Sequence, residues 1–315
     1  MARWLVTGGA GFIGSNIVHR LAADGERVRV LDDFSTGKRA NLRGLPPARV
    51  QVIEGDLRDW RAVLAAVRGC DYVLHQGALG SVPRSLADPV TTTEVNVLGS
   101  VNVLEAARRA GCVKRVVLAS SSSVYGDTPT LPKTEGMPLL PLSPYAASKA
   151  AMEGFARAFS ASHGVEAVLL RYFNVFGPRQ DPLSTYASVI PKFITAMLDG
   201  HPPVVEGDGL QSRDFTFIDN VVHGNMLALH APKAAGKMMN LATGSRVTLL
   251  DLVAKLNRQL GTDIAPIHAP ERVGDIKHSR ADIELAGALL GYEPVVDFDA
   301  GLARTIDWYK TQVQG

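Results

Sequence analysis

The stretch Gly8-Gly-Ala-Gly11-Phe-Ile-Gly14 decides the fold, because of what stands on either side of it. Before it lies the short apolar run Arg3 to Thr7. After it, Ser15 to Ala23 places Ile17, Val18, Leu21 and Ala22 at helical spacing. That is a strand, a glycine turn and a helix. The glycines read as Gly9-x-Gly11-x-x-Gly14 or as Gly8-x-x-Gly11-x-x-Gly14. Either way they permit a tight turn, let the backbone approach a pyrophosphate, and aim the first N–H groups of a helix at its charge. A second strand, Arg27 to Leu31, ends at Asp32-Asp33. An acid at this distance accepts hydrogen bonds from the adenosine ribose hydroxyls and repels a 2'-phosphate, so the expected cofactor is NAD and not NADP.

Outward from the turn the alternation continues. Strand Val50 to Ile53 leads to Gly55-Asp56-Leu57, where Asp56 and the backbone of Leu57 are candidate adenine contacts. Asp59 reads as the N-cap of a helix whose apolar face is Trp60, Val63, Leu64 and Val67, with Gly69 stopping it. Strand Tyr72 to His75 meets the loop Gly77-Ala-Leu-Gly-Ser-Val-Pro-Arg-Ser85, helix Thr92 to Ala110 carries Asn96, and strand Arg115 to Ala119 enters a serine run. Strands and helices alternating at this spacing predict an α/β chain with a doubly wound parallel sheet covered on both faces. After strand Ala167 to Phe173 the character changes at the polar, turn-rich Asn174 to Gln180. The expected division is a dinucleotide-binding domain over 1–173, with a return segment near 213–246. A smaller α/β substrate domain is drawn from 174–212 and 247–315.

Composition narrows the classes. A chain of 315 residues with 46% hydrophobic content buries a large core, and a net charge of +2 with dispersed Lys and Arg gives no basic stripe for nucleic acid. The chain starts directly in a strand, without a leader, and no apolar run approaches the ~20 residues of a membrane span, so no membrane partner is expected. Cys70 and Cys112 are the only cysteines, and the eight histidines lack ligand spacing. The expectation is a reducing, cytoplasmic setting and no metal.

The chemistry is expected in Ser120-Ser-Ser-Ser-Val-Tyr-Gly126 together with Tyr145-Ala-Ala-Ser-Lys149. Residues four apart share a helix face, so Tyr145 and Lys149 point the same way. A fixed cation beside a phenol lowers its pKa from about 10, and Ser121 at the strand end is placed to share the same substrate oxygen. The Pro-rich segment between Tyr125 and Tyr145 reads as a surface loop, with a helix beginning near Ser143 and Pro144 in its first turn. Arg213 and Arg272 are candidates for a diphosphate, which a planar guanidinium matches in bidentate fashion.

Together, Gly8-x-x-Gly11-x-x-Gly14, Asp32, Tyr145-x-x-x-Lys149 and Arg171-Tyr-Phe-Asn-Val-Phe-Gly-Pro-Arg179 resemble the extended short-chain dehydrogenase/reductase family, from end to end. In particular they resemble its nucleotide-sugar 4-epimerases. The loop Ala78 to Ser85 and the stretch Gly274-Asp-Ile-Lys-His-Ser279 are similar to bacterial epimerases that interconvert UDP-N-acetylglucosamine and UDP-N-acetylgalactosamine. The resemblance implies a Rossmann sheet, bound NAD, and a UDP-sugar oxidised at C4 to a ketone, turned over, and reduced on the opposite face. It implies Tyr145 as the base, Lys149 on the nicotinamide ribose and Ser121 on the 4-oxygen. The implied cofactor set is Gly8, Gly11, Phe12, Ile13, Gly14, Asp32, Asp56, Leu57, Asn96, Tyr145 and Lys149. Ser81, Arg84, Ser122, Ser123, Asn174, Arg213, Arg272, Asp275 and Ser279 form the implied substrate set. The helices Thr92 to Ala110 and Ala146 to Ser162 resemble those that pair in family homodimers.

Related branches differ at readable positions. The family's dehydratases carry Asp-Glu where this chain has Ser122-Ser123, and its decarboxylases carry Glu at Ser123. Glucuronate epimerases offer a cation just after the Gly-Pro-Arg-Gln stretch, where Asp181 here would repel a carboxylate. By the resemblance, Ser279 stands at the family's gate, where a small residue leaves room for an N-acetyl group while still accepting plain hexoses. Gly77-Ala78 replaces the common Ala-Ala, which predicts a slightly looser backbone on the cofactor side. UDP-glucose and UDP-glucuronate are the alternative substrates. A non-catalytic NAD-binding sensor, or a net nucleotide-sugar dehydrogenase, are the alternative classes.

Overall fold

The computed structural model describes residues 2–182, 188–271 and 277–313. The first half alternates as expected: β1 (Arg3–Thr7), α1 (Phe12–Ala23), β2 (Arg27–Asp32), β3 (Val50–Glu54), α2 (Trp60–Val67), β4 (Tyr72–His75), α3 (Val82–Ala87), α4 (Pro89–Thr93), α5 (Gly99–Ala110), β5 (Arg115–Ser121), α6 (Pro144–His163) and β6 (Ala167–Tyr172). Then follow β7 (Val175–Phe176), α7 (Val189–Leu198), β8 (Val204–Glu206), β9 (Ser212–Arg213), β10 (Thr216–Phe217), α8 (Ile218–His230) and β11 (Met238–Leu241). The chain ends with β12 (Val247–Thr248), α9 (Leu249–Leu260), β13 (Ile267–Ala269), α10 (Glu284–Leu290) and α11 (Phe298–Val313).

Seven strands form one parallel sheet in the order β3-β2-β1-β4-β5-β6-β11. All six residues of β6 are buried, as a central parallel strand requires with helices on both faces, whereas edge strand β3 exposes Gln51, Val52 and Glu54. The order reverses between β1 and β4, and the carboxyl ends of those two strands carry Gly8 and Gly77. That crevice is where a doubly wound sheet receives its ligand.

Local chemistry explains the helix starts. Asp59 caps α2 by accepting from the Arg61 N–H, and Ser143 caps α6 by accepting from the Ala146 N–H, with Pro144 in the first turn. The single helix expected over Thr92 to Ala110 is instead interrupted by a π-helical turn at Glu94–Leu98. Buried Asn96 lies in that wide turn and spends its amide on other elements, which the local spacing of apolar residues does not report.

The segment between Tyr125 and Tyr145 is more than a surface loop. Lys133 is buried, its N–H donates to the Arg280 carbonyl, and its own carbonyl accepts from the Asp282 N–H. The small strands pair β7 with β10, β8 with β13 and β9 with β12. One continuous core joins the sheet to this lobe, running from Trp4, Val6 and Leu170 to Phe193, Leu252 and Tyr309. Cys70 and Cys112 are free thiols. Among the described residues no helix is long and apolar enough to cross a membrane, and no group of side chains has metal-ligating geometry.

Candidate active site

The glycine turn is closed by contact. The Gly8 N–H donates to the Leu31 carbonyl at 2.8 Å, and Gly8 has φ +63°, where an L side chain is strained. A Cβ on Gly14 would stand 2.1 Å from the Gly8 carbonyl oxygen, so α1 can pack this close only without one. Gly11 is the N-cap of α1 and puts no side chain over its first N–H groups. Gly8, Gly11, Phe12, Ile13, Gly14, Asp32, Asp56 and Leu57 all line one cleft beside this turn, together with Ser35, Thr36 and Gln76.

Asp32 is 7% exposed and accepts from the Ala10 N–H at 2.8 Å and the Phe34 N–H at 2.9 Å. Burial raises its pKa, and those N–H groups pull it back. It therefore braces the glycine turn while presenting a carboxylate edge to the cleft. Asp56 is held by Arg58 in a bidentate pair, which keeps its carboxyl below the usual range. Asn96 does not join the cleft-lining residues. Its amide accepts from the Leu79 N–H and donates to Ser148 Oγ, tying the cleft wall to the helix of Tyr145 and Lys149. The glycine at position 77 is packed, not loose: a Cβ there would meet Leu57 Cδ1 at 2.8 Å.

Tyr145, Lys149 and Ser121 converge at the carboxyl end of β5. Ser121 stands near enough to the Tyr145 phenol to lower its pKa, and it accepts from Ser123 Oγ at 2.9 Å. Buried Lys149 donates to the Ala119 carbonyl at 2.8 Å. Burial brings Lys149 down to about 8, against an upward pull from Glu153. Burial raises the pKa of Tyr145 and Ser121 lowers it in part, while the Lys149 ammonium one turn along the helix donates to the strand end.

The substrate set is spread over several segments. Ser81 caps α3 through the Arg84 N–H, and Ser122 and Ser123 form the tight turn after β5. Asn174, at φ +31°, donates to the Asp214 carbonyl. Arg213 donates to the Ser212 and Lys277 carbonyls, and the Ser279 N–H donates to Ser212 at 3.0 Å, so Arg213 and the buried Ser279 lie on paired segments. Arg272 and Asp275 lie outside the described residues. Asp181 forms an ion pair with Lys38 at 2.7 Å, so the repulsion of a sugar carboxylate expected from it is offset.

Sequence reasoning missed the polar network behind the triad. The carboxylate of Glu153 accepts from Ser120 Oγ and, in bidentate fashion, from Arg171. The signal was an arginine inside the otherwise apolar strand Ala167–Tyr172 and an acid one turn beyond Lys149. Asp214, fully buried, was also missed: it accepts from the N–H groups of Thr243, Gly244 and Ala281, fixing the segment beside Ser279.

Comparison with known proteins agrees with this geometry. The chain is 37% identical over 315 residues to the UDP-glucose 4-epimerase of Mycolicibacterium smegmatis, covering 99% of this chain and 100% of the relative. It superposes with a TM-score of 0.94 on the UDP-N-acetylglucosamine 4-epimerase from Methanobrevibacter ruminantium M1 in complex with UDP-N-acetylmuramic acid, at 40% identity and 99% coverage of both chains. DesIV, a dTDP-glucose 4,6-dehydratase from Streptomyces venezuelae with NAD and TYD bound, gives 0.91 at 37% identity, covering 99% of this chain and 98% of that one. Residues 4–242 match the NAD dependent epimerase/dehydratase family, to which this chain belongs.

Proposed function

We propose that the protein is an NAD-dependent UDP-sugar 4-epimerase acting on the UDP-N-acetylglucosamine and UDP-N-acetylgalactosamine pair. One observation carries the reading: the Ser121, Tyr145 and Lys149 cluster stands at the carboxyl end of β5 and is followed by the hydroxyls of Ser122 and Ser123, with no carboxylate pair for eliminating water. The small buried Ser279 on the segment paired with Arg213 supports the acetylated sugar.

The glycine turn fits the cofactor, because the contact of Gly14 on Gly8 leaves backbone, not side chain, facing a diphosphate, and Asp32 stands where a ribose diol would be held. When bound, NAD supplies the hydride acceptor and donor. The chain's own residues handle the proton. Ser121 and Tyr145 hold the sugar hydroxyl between them, and Tyr145 takes its proton and returns it after the sugar has turned. Burial favours the neutral phenol, so removing the sugar proton relies on Ser121, which lowers the phenol pKa, and on the nearby charge of Lys149, which is mostly protonated at neutral pH. Arg213 anchors the diphosphate while the hexose rotates.

UDP-glucose stays as a second substrate, since a small gate excludes nothing smaller. UDP-glucuronate does too, because Asp181 is paired. We also propose a homodimer through the apolar face that leaves Val90 66%, Leu98 48% and Phe155 42% exposed, and a cytoplasmic setting for the free thiols. The test is incubation of purified protein, without added NAD, with each of the three UDP-sugars and chromatographic separation of the 4-epimers. Conversion of the acetylated sugar at a comparable or better kcat/KM supports the reading. Turnover of UDP-glucose or UDP-glucuronate alone overturns the substrate, and 4-keto-6-deoxy product overturns the reaction.

A further inference from the structure

Three consecutive residues of β5 meet one stripe of α6. Ser121 faces the Tyr145 phenol closely enough to lower its pKa, the Ala119 carbonyl accepts from Lys149, and Ser120 Oγ donates to Glu153 at 2.6 Å. Tyr145, Lys149 and Glu153 are successive turns of the same helix face. Arg171 sits directly beside Ser120 in the ladder between β5 and β6, and reaches the Glu153 carboxylate with Nε at 2.8 Å and Nη2 at 2.6 Å. Its remaining amine donates to Tyr125 Oη, which donates to Asn240 on the next strand. Glu153 and Arg171 are each 1% exposed.

A buried ion pair of this kind adds little to stability compared with an apolar pair of the same volume, because desolvation offsets the attraction. Its placement points elsewhere. We infer that Glu153 is a positioning residue for the reaction: bound by Arg171 and Ser120, it locks the Lys149 turn of α6 in register against the strand end that carries Ser121. The inference deepens the proposed epimerase reading and rests on it for its kinetic part. The lock also has an electrostatic side. The titratable groups nearest Lys149 are Tyr145 and Glu153, one turn to either side on its own helix, His75 from β4 and, behind Glu153, Arg171 from β6. Of these Glu153 is the anion that favours the ammonium.

The experiment uses the full-length protein in two variants. Glu153→Gln with Arg171→Met removes both buried charges together, so neither is left unpaired. Ser120→Ala cuts only the link to β5 and keeps the ion pair. Steady-state kinetics are measured across pH on the UDP-sugar that the wild type converts, and amide hydrogen exchange is followed over 119–123 and 145–153. The expected result is a fall in kcat of about tenfold in both variants with KM within about twofold, since small misplacements of reacting groups cost rate and not binding. The alkaline limb of the profile moves to lower pH in the double variant alone, because the group supporting a protonated Lys149 is gone. Exchange over 119–123 quickens in both. Wild-type kcat and wild-type exchange in Ser120→Ala overturn the inference, and that variant decides alone if the double one does not fold. If the wild type converts no UDP-sugar, the functional reading fails, and the exchange comparison still decides whether Glu153 holds the strand end.

Discussion

Replacing Gly14 by alanine tests the cofactor turn at its tightest point. An added Cβ at Gly11 would lie 3.2 Å from the Gly8 carbonyl oxygen, a distance a neighbour can yield, whereas one at Gly14 would lie 2.1 Å from the same atom. The second contact is about 1 Å too short, and the obstacle is backbone on both sides, so α1 must move off the turn by a similar amount. Overpacking of this kind costs about 1–3 kcal/mol. In a chain of this size that is roughly 2–6 °C in Tm. The functional loss is larger, because the helix N–H groups that would face a diphosphate move with the helix, and NAD is expected to fall well below one equivalent after purification. The assay pairs thermal unfolding with quantitation of nucleotide released by acid, for wild type, Gly11→Ala and Gly14→Ala. A Gly14→Ala protein with wild-type Tm and full NAD would refute the reasoning.

Tyr145→Phe is expected to keep NAD and substrate affinity while lowering kcat by about 10²–10⁴-fold, as loss of a general acid-base does; retained turnover in stopped assays would remove the phenol from the mechanism. Ser279→Tyr is expected to lower kcat/KM for the acetylated sugar selectively and leave UDP-glucose turnover within a few-fold, measured by competing the two substrates. His75, 2% exposed between Thr7 Oγ1 and Ser100 Oγ, is pushed down to about 3 by burial, with Lys149 adding to the effect. Its folded pKa lies below the unfolded one, so the unfolded chain takes the proton first. The stability it contributes is complete above about pH 6.5 and is lost as pH falls toward 3, by about 1 kcal/mol per pH unit. Urea unfolding at a series of pH values should show a flatter profile between pH 6 and 4 in His75→Gln.

The residues after each strand were legible because their constraints are local. A turn that admits no Cβ must be glycine, an acid at the end of β2 stands at the edge of the cleft, and a Tyr and a Lys four apart share a helix face whatever surrounds them. The alternation of strand and helix likewise fixed a parallel sheet, since parallel neighbours need a crossover between them. What failed to show were properties of assembled neighbours. The amide of Asn96 binds Leu79 and Ser148, on two other segments, and no local spacing announces that tie. Asp181 reads as a free charge, and Lys38, from the other side of the glycine turn, is its partner.

Sequence alone thus determined the doubly wound parallel architecture, the glycine turn with Asp32, and the hydroxyl, phenol and amine gathered at the carboxyl end of β5. The tertiary structure decided how those groups are tuned. Desolvation raises the Tyr145 phenol and lowers Lys149, and the sign of each shift depends on burial and on partners from other elements, which spacing along a chain does not encode. It also decided that Glu153, Arg171 and Ser120 are one unit, because the β5–β6 register and the packing of α6 bring residues 33 and 18 positions apart within a hydrogen bond of one carboxylate.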